Sequence, residues 1–176
     1  MVFNMYFSMF PKIDYDLLGN GTTNRFTNIT KRAFISNHVR KNIVNFDFYD
    51  VVDGESPEII ADLYYKNIFL HWLVLLSNDI VNVYEQWPKS LPALEKYVND
   101  KYDDPFGVHH YTINQSSGDT TKKIIITDNK FYPNADVVSN YQYESDLNDD
   151  KRRIRLIQRQ YVDQIVSEFR YAVKDS

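Results

Sequence analysis

The chain has 176 residues, a length that suits one domain or a small core with substantial extensions. Its 24 acidic residues outnumber its 20 basic ones, and the net charge of −4 argues against a general nucleic-acid binder, which needs a basic excess on one face. Cysteine is absent, which excludes disulfides, thiolate metal sites and thiol nucleophiles. The 14 tyrosines and 11 phenylalanines favour a protein that binds other proteins, because aromatic side chains are enriched at interfaces.

The N-terminal segment is apolar and aromatic but lacks the positive start and the cleavage site of a signal peptide. No apolar run approaches the roughly 18 residues of a membrane span, so we expect a protein without a membrane segment. Two interpretations of residues 1–30 stay open: a segment packed on its own domain, or an arm that orders against a neighbouring subunit. Residues 28–44 are expected to form a short helix followed by an extended segment.

From residue 45 onward the pattern predicts a strand followed by two helices. Phe46, Phe48 and Val52 alternate as in a strand, and Asp53-Gly54 predicts a turn. Ser56 and Pro57 are a typical N-cap and first helical residue. The residues expected to be buried in the first helix are Ile59, Ile60, Leu63 and Tyr64, and those of the second helix are Leu70, Trp72, Leu73, Val74 and Leu76, ending near Asn78-Asp79.

Further along, Leu91 to Tyr102 predicts another short helix, and residues 108–132 predict a β-hairpin with its turn at residues 116–119. The final segment has an apolar period of three to four residues, which predicts one amphipathic helix of about 25 residues capped by Asn148. The apolar positions of that helix are Ile154, Ile157, Tyr161, Ile165, Phe169 and Ala172. Such a helix either packs along its own domain or docks on another chain.

No catalytic motif is found in the sequence, and we expect neither an enzyme nor a cofactor or metal site. His109 and His110 are neighbours in a predicted strand and would point to opposite faces, so they would not bind one metal together. His71 lies in an apolar helix, where a hydrogen-bonded core histidine is expected. The basic run from Lys151 to Arg159 fits a solvated or salt-bridged surface better than a nucleic-acid site.

The segment from Tyr49 to Asn78-Asp79 resembles a LysM module. The features that carry the resemblance are a strand, a turn at Gly54-Glu55-Ser56, a first helix with Ala61 and Tyr64, and a second helix that leads to an asparagine. Two positions depart from that family: Lys66 stands where a glycine usually follows the tyrosine, and the closing strand expected soon after Asn78 is replaced by an aromatic stretch.

A wider resemblance, over most of the chain, is to the baseplate wedge protein of T4-like contractile-tail phages, the gene product 53 family. It rests on the LysM-like block, on Tyr84 and Trp87, on the N-terminal aromatic segment and on the terminal amphipathic helix. The resemblance implies a virion protein of the tail baseplate, made in the host cytoplasm, that joins neighbouring wedges into a ring around the tail hub. Its expected partners are other wedge subunits, with no nucleic acid, membrane or small-molecule substrate.

The expected fold is therefore α+β: a small LysM-like βαα(β) core with an extended N-terminal arm, a β-hairpin and a long C-terminal amphipathic helix. The expected divisions are 1–44 (arm and short helix), 45–102 (LysM-like module and following helix), 103–144 (β-hairpin region) and 145–176 (C-terminal helix). We expect the contacts with other subunits to be made by Phe7, Phe10, Tyr15, Trp72, Trp87, Arg155, Arg159, Tyr161 and Phe169.

Two alternative functions stay open at this point. A cell-wall LysM protein would bind peptidoglycan or chitin in a groove lined by Gly54-Glu55-Ser56 and Asn78-Asp79. An RNA-binding accessory protein would use the basic run and would bind polyanions with a steep salt dependence.

Overall fold

The computed structural model describes residues 6–31, 46–115 and 122–175. It combines helices with small antiparallel sheets, which confirms the predicted α+β class. The chain divides into two compact units. Unit 1 comprises Met1–Val51, Glu55–Gln86 and Arg153–Ser176, and unit 2 comprises Val52–Gly54 and Trp87–Arg152.

The described strands are β1 (Lys12–Tyr15), β2 (Asn24–Thr27), β3 (Phe46–Asp50), β4 (Val108–Asn114), β5 (Lys123–Ile126), β6 (Asp136–Ser139) and β7 (Arg153–Ile157). The described α-helices are α1 (Pro57–Tyr65), α2 (His71–Ser77), α3 (Val83–Gln86), α4 (Leu91–Lys101), α5 (Asn140–Asp150) and α6 (Val162–Asp175). Short 3-10 turns occupy Tyr6–Met9, Ile68–Leu70 and Arg159–Tyr161.

Unit 1 contains an antiparallel pair of strands that come from distant parts of the sequence. Strand β3 pairs with β7, with Phe46 opposite Ile157 and Asp50 opposite Arg153. Helix α2 packs against β7, and Leu156 of that strand is fully buried. The predicted strand–helix–helix order is confirmed, and its second strand comes from near the C-terminus rather than from the residues after Asn78.

Asn78, which follows α2, binds the backbone of β7 with its side chain. Its Nδ2 donates to the Arg155 carbonyl at 2.9 Å, and its Oδ1 accepts from the Arg155 amide at 2.8 Å. In an antiparallel pair the amide and carbonyl of one residue point to the same side, so this amide side chain occupies the edge of β7 that faces away from β3. Ser77 Oγ also donates to the Arg155 carbonyl, at 2.9 Å. The end of α2 and the strand are therefore held together by side chain to backbone bonds.

The predicted start of α1 is confirmed. Ser56 is its N-cap, with Oγ accepting from the Ile59 amide at 3.4 Å, and Pro57 is its first residue. The predicted burial is partly wrong, because Ile60 is buried while Ile59 and Leu63 are each about half exposed. The face of α1 that packs on α2 is narrower than predicted. Its buried residues include Ile60 and the small Ala61.

An aromatic cluster fills the core of unit 1. The ring of Trp72 lies 4.8 Å from that of Phe169 in α6, and Tyr6 packs on both rings. Phe10 joins the cluster through contacts with Tyr6 and Phe169. The amphipathic α6 thus packs along its own unit, which was one of the two possibilities left open by the sequence.

The predicted single C-terminal helix of about 25 residues is wrong. Helix α5 ends at Asp150, the strand β7 follows, and α6 begins only at Val162. Asn148 is not a helix cap but a buried residue inside α5, whose side chain bonds the Lys89 backbone amide and carbonyl at 2.7 and 3.0 Å. The physical reason is that Ile154 and Leu156 are buried by strand pairing, which outweighs a local periodicity that also fits a helix.

Unit 2 contains a three-stranded antiparallel sheet in the order β5-β4-β6. The predicted hairpin is confirmed by the pairing of β4 with β5, while β6 was not predicted as a strand. Helix α4 confirms the predicted helix, and α5 packs against it. Between them, the buried Glu144 accepts hydrogen bonds from Lys101 Nζ at 2.6 Å and Tyr102 OH at 2.8 Å. Burial opposes the charge on Glu144, but these donors hold its pKa below the ordinary value.

Two local expectations fall on residues outside the described ones: the short helix and extended segment after residue 31, and the turn at residues 116–119. The four divisions expected from the sequence stay predictions.

We expect Asn78→Ala to lower the free energy of unfolding by about 2 kcal/mol, because the Arg155 amide loses its acceptor inside the unit. Urea unfolding of the purified chain would measure this. The exposed Asn129 is a matched control, and Asn129→Ala should change stability by less than about 0.5 kcal/mol. Equal stabilities of the two variants would contradict the role given to Asn78.

Lys66 ends α1 with φ 57° and ψ 30°, in the left-handed region that favours glycine. Its backbone amide caps the helix by bonding the Ala61 and Asp62 carbonyls. We therefore expect Lys66→Gly to raise the unfolding free energy by about 0.5–1 kcal/mol, measured by thermal or urea unfolding. Lys66→Ala keeps the strained Cβ and should give no gain; a gain of similar size would show that the lysine side chain, not the backbone, is responsible.

Candidate contact surface

The N-terminal segment of unit 1 forms a two-stranded ribbon with one apolar face. Strands β1 and β2 pair with Ile13 opposite Phe26 and Tyr15 opposite Asn24, so Ile13, Tyr15 and Phe26 share a face. Their exposed fractions are 42%, 56% and 41%. The opposite face carries Lys12, Asp14, Arg25 and Thr27. The ribbon is therefore amphipathic, and the described residues leave its apolar face open to solvent.

The tip of this ribbon is ordered by one carboxylate. Asp16 Oδ1 accepts from the amides of Leu18, Gly19 and Asn20 at 3.2, 2.7 and 3.2 Å, and Oδ2 accepts from the Gly21 amide at 2.7 Å. Gly19 and Gly21 have positive φ, which lets the chain fold around the carboxylate. These bonds, that from Gly21 foremost, lower the pKa of Asp16 below its ordinary value of 3.8. The loop presents Leu17 and Leu18, which are 67% and 77% exposed.

A second surface pairs arginines with aromatic rings along β3 and β7. Arg153 lies 5.2 Å from the ring centre of Phe48, and Arg155 lies 5.4 Å from that of Phe46. Arg159 lies 4.9 Å from the ring centre of Tyr64, whose hydroxyl donates to Asp47. Burial and the Asp47 carboxylate raise the pKa of that hydroxyl. Half-exposed Phe48 and exposed Arg153 are types of residue that carry binding energy in interfaces.

The structure separates the nine residues expected to contact other subunits into two groups. Phe7, Tyr15 and Arg159 are exposed, and Arg155 and Tyr161 are partly buried. The other four are buried, namely Phe10, Trp72, Trp87 and Phe169. The two tryptophans were expected to make such contacts from an exposed edge of the LysM-like module, and this exposure is wrong. They fill core positions instead, and Trp72 does so within the aromatic cluster. That the nine residues bind other subunits stays a prediction. The four buried residues could contact another subunit only if the core around them rearranged.

The two neighbouring histidines depart from the regular strand expected of them. The pairing of β4 with β6 is irregular between Val108 and His110, and the Nδ1 atoms of His109 and His110 lie 2.8 Å apart. His109 also stacks on Tyr143, with ring centres 3.9 Å apart. A β-bulge changes the direction of a side chain, so the rings of His109 and His110 lie on the same side of β4.

Across residues 6–31, 46–115 and 122–175, no group of three or more potential ligands could hold a metal ion. His71 is hydrogen-bonded as expected, with Nδ1 3.0 Å from the Ile68 carbonyl, but it is only partly buried at the start of α2 and is not a core residue.

The residues that a LysM-type glycan groove would use make internal contacts here. Glu55 accepts from the Tyr49 hydroxyl at 2.9 Å, Ser56 caps α1, and Asn78 holds β7. Within the basic run, Arg152 is engaged locally, since it pairs with Asp149 at 2.8 Å and with Asp53 at 3.3 Å. The side chains of Glu55, Ser56 and Asn78 therefore contribute to the fold of unit 1.

Comparison with known proteins supplies the family. A model of the family described as base plate wedge protein 53 matches residues 5–136, well over half of the chain. The chain belongs to this family. It is a structural subunit of a phage baseplate wedge, located in the virion tail. No curated protein matched the chain. Within the described residues, no helix has both the length and the apolar character to cross a membrane.

The matched span contains the ribbon, β3, α1 and α2 but ends before β7 and α6. The strand partner of β3 and the helix that covers the aromatic cluster therefore come from residues beyond the family match. In this wedge protein the C-terminal residues complete the core of unit 1.

Sequence reasoning missed Leu17, Leu18 and Phe26 as surface candidates. The first two had a usable signal: an aspartate followed by two glycines at three and five residues is an Asx-type loop, in which intervening side chains point outward. Phe26 had none, because its exposure depends on strand register.

We expect Asp16→Asn to loosen the tip without unfolding unit 1, because an amide cannot accept from all four backbone amides and the loop lies outside the core. Hydrogen exchange of Leu18, Gly19 and Gly21 should accelerate, while Asp14→Asn on the charged face serves as the control.

In the native chain the amide resonances of Leu18, Gly19 and Gly21 should shift together only below pH 3.8. The lowered pKa of Asp16 keeps its carboxylate charged, and its hydrogen bonds intact, until the pH falls through that lower value. A midpoint above 3.8 would contradict this.

Proposed function

We propose that this chain contacts other wedge subunits through its N-terminal ribbon and thereby helps to join neighbouring wedges into the inner baseplate ring around the tail hub. The observation that carries the proposal is the exposed apolar face of the ribbon, together with a tip held in place by Asp16. The role needs no catalytic group, cofactor or small-molecule substrate.

Physical chemistry supports a partner for this ribbon. An isolated two-stranded hairpin is at best marginally stable in water, and it normally needs a third strand or a packed surface. Contiguous exposed apolar side chains on a soluble chain mark interaction sites. Here Ile13, Tyr15 and Phe26 form such a face, and Leu17 and Leu18 extend it to the tip.

The order of the tip supports recognition rather than chance exposure. Four backbone amides bound to one carboxylate fix the loop before binding, so less conformational entropy is lost when Leu17 and Leu18 are buried. The base of the ribbon is also fixed, because Met9 and Phe10 are buried in the core of unit 1 just before β1 begins. A ribbon anchored at its base and ordered at its tip can dock in one orientation.

The arginine–aromatic surface of β3 and β7 is the second proposed contact. Arg155 and Arg159 each lie over an aromatic ring, an arrangement that limits their conformations before binding. A partner with acidic side chains suits this surface. The proposed partners are proteins, and neither nucleic acid nor a membrane is invoked.

The test replaces the apolar face while keeping strand propensity. In Ile13→Thr/Phe26→Thr the β-branched threonines suit a strand but remove apolar area, so we expect incorporation into assembled tails to fall by about tenfold or more. The amount of this chain in tails purified from complemented phage would be measured by mass spectrometry. Circular dichroism of the free variant should match that of the native chain.

Phe131→Thr is the matched control, because Phe131 is 87% exposed but lies in unit 2. It should incorporate normally. Normal incorporation of the ribbon variant would overturn the role given to the ribbon, and equal loss in both variants would show that exposed apolar area in general matters rather than this face.

A further inference from the structure

Strand β5 is an edge strand of unusual composition. Within the described residues it pairs only with β4, and its sequence is Lys123-Ile124-Ile125-Ile126. Ile125 is 67% exposed and Ile124 is 45% exposed. Edge strands are normally protected from pairing by charges, prolines or bulges along their length. Strand β5 has one such charge, Lys123 at its start, and none along its three consecutive isoleucines, so its apolar part is suited to pairing with another strand.

The hydrogen-bond alternation shows which backbone groups of β5 are turned outward. The Gln115 amide donates to the Lys122 carbonyl at 3.3 Å, which continues the register of β4 with β5 by one residue. Antiparallel pairing alternates strictly, so Lys122, Ile124 and Ile126 turn their backbone groups toward β4. The amide and carbonyl of Ile125, at the centre of the strand, therefore point away from β4.

An antiparallel pair of two β5 strands centred on Ile125 brings compatible residues opposite one another. A two-fold axis at Ile125 places Ile124 opposite Ile126 of the other copy. The same axis places Lys123 at the Thr127 position of the other copy and not beside another lysine. Apolar residues therefore meet at the centre, and no like charges are brought opposite each other.

We propose that β5 pairs antiparallel with β5 of a second copy of this chain, with the two-fold axis at Ile125. The two Ile125 residues exchange both of their outward backbone hydrogen bonds, and the two sheets become one continuous sheet. This inference concerns unit 2 alone and does not depend on the proposed contacts of the ribbon.

The first test is sedimentation velocity of the purified full chain over a dilution series up to about 100 µM. We expect a concentration-dependent dimer. Ile125→Lys puts two like charges at the two-fold axis and should weaken dimerisation at least about tenfold. The matched control is Val137→Lys, since Val137 is 59% exposed on β6, the opposite edge of the same sheet, and this variant should dimerise normally.

A second substitution tests the backbone pairing at the axis. Ile125→Pro removes the outward amide of Ile125 but no hydrogen bond to β4, so it should also weaken the dimer. Circular dichroism of each variant checks that the fold is kept. A native chain that stays monomeric over the whole series would overturn the proposal. A dimer that responds equally to Ile125→Lys and Val137→Lys, or one that Ile125→Pro leaves unchanged, would also overturn it.

Discussion

The pairing of β3 with β7 is the constraint on which the rest of unit 1 depends. This pairing joins Phe46–Asp50 to Arg153–Ile157, so the roughly 100 residues between the two strands must form a closed loop before the strands can pair. Once it has formed, Leu156 and Ile157 are fully buried, and α6 follows the strand directly onto the aromatic cluster of Trp72 and Phe169. Asn78 completes the arrangement by satisfying the Arg155 backbone on the open edge of the strand. The fold of unit 1 therefore depends on a pairing between two strands that lie far apart in the sequence.

This dependence explains which parts of the fold could be predicted from the sequence. The turn at Gly54, the Ser56 cap and the ends of α2 and α4 were predictable, because each depends on residues within a few positions of one another. Strand β7 was not. Ile154 and Ile157 have the spacing of a helix, whereas Ile154 and Leu156 have the spacing of a strand. Only the distant partner strand decides between the two, and a single sequence does not show which residues pair.

The proposed contact surface lies in a segment that the sequence pointed to, but its exposed residues could not be predicted. An aromatic-rich N-terminal segment indicated an arm, yet an aromatic residue has the same sequence signature in a core as at an interface. Phe10 and Phe169 are buried, while Ile13 and Phe26 lie on the open face because of the ribbon's register. The side-by-side histidines were missed for a related reason, since a bulge reverses the alternation on which the expectation rested. Register and bulges are set by pairing, and pairing is a non-local property.

Together these features describe a wedge protein whose stable core carries an exposed, preordered ribbon. The measurement that tests this account most directly is cross-linking mass spectrometry on purified phage tails that contain the chain. Lys12 lies on the charged face of the ribbon, and Lys31 lies just beyond its second strand. We expect both lysines to cross-link to a different wedge subunit, including one from the neighbouring wedge. Cross-links from these lysines only to residues of the same chain, in tails where Lys174 or Lys96 links to other subunits, would contradict the account.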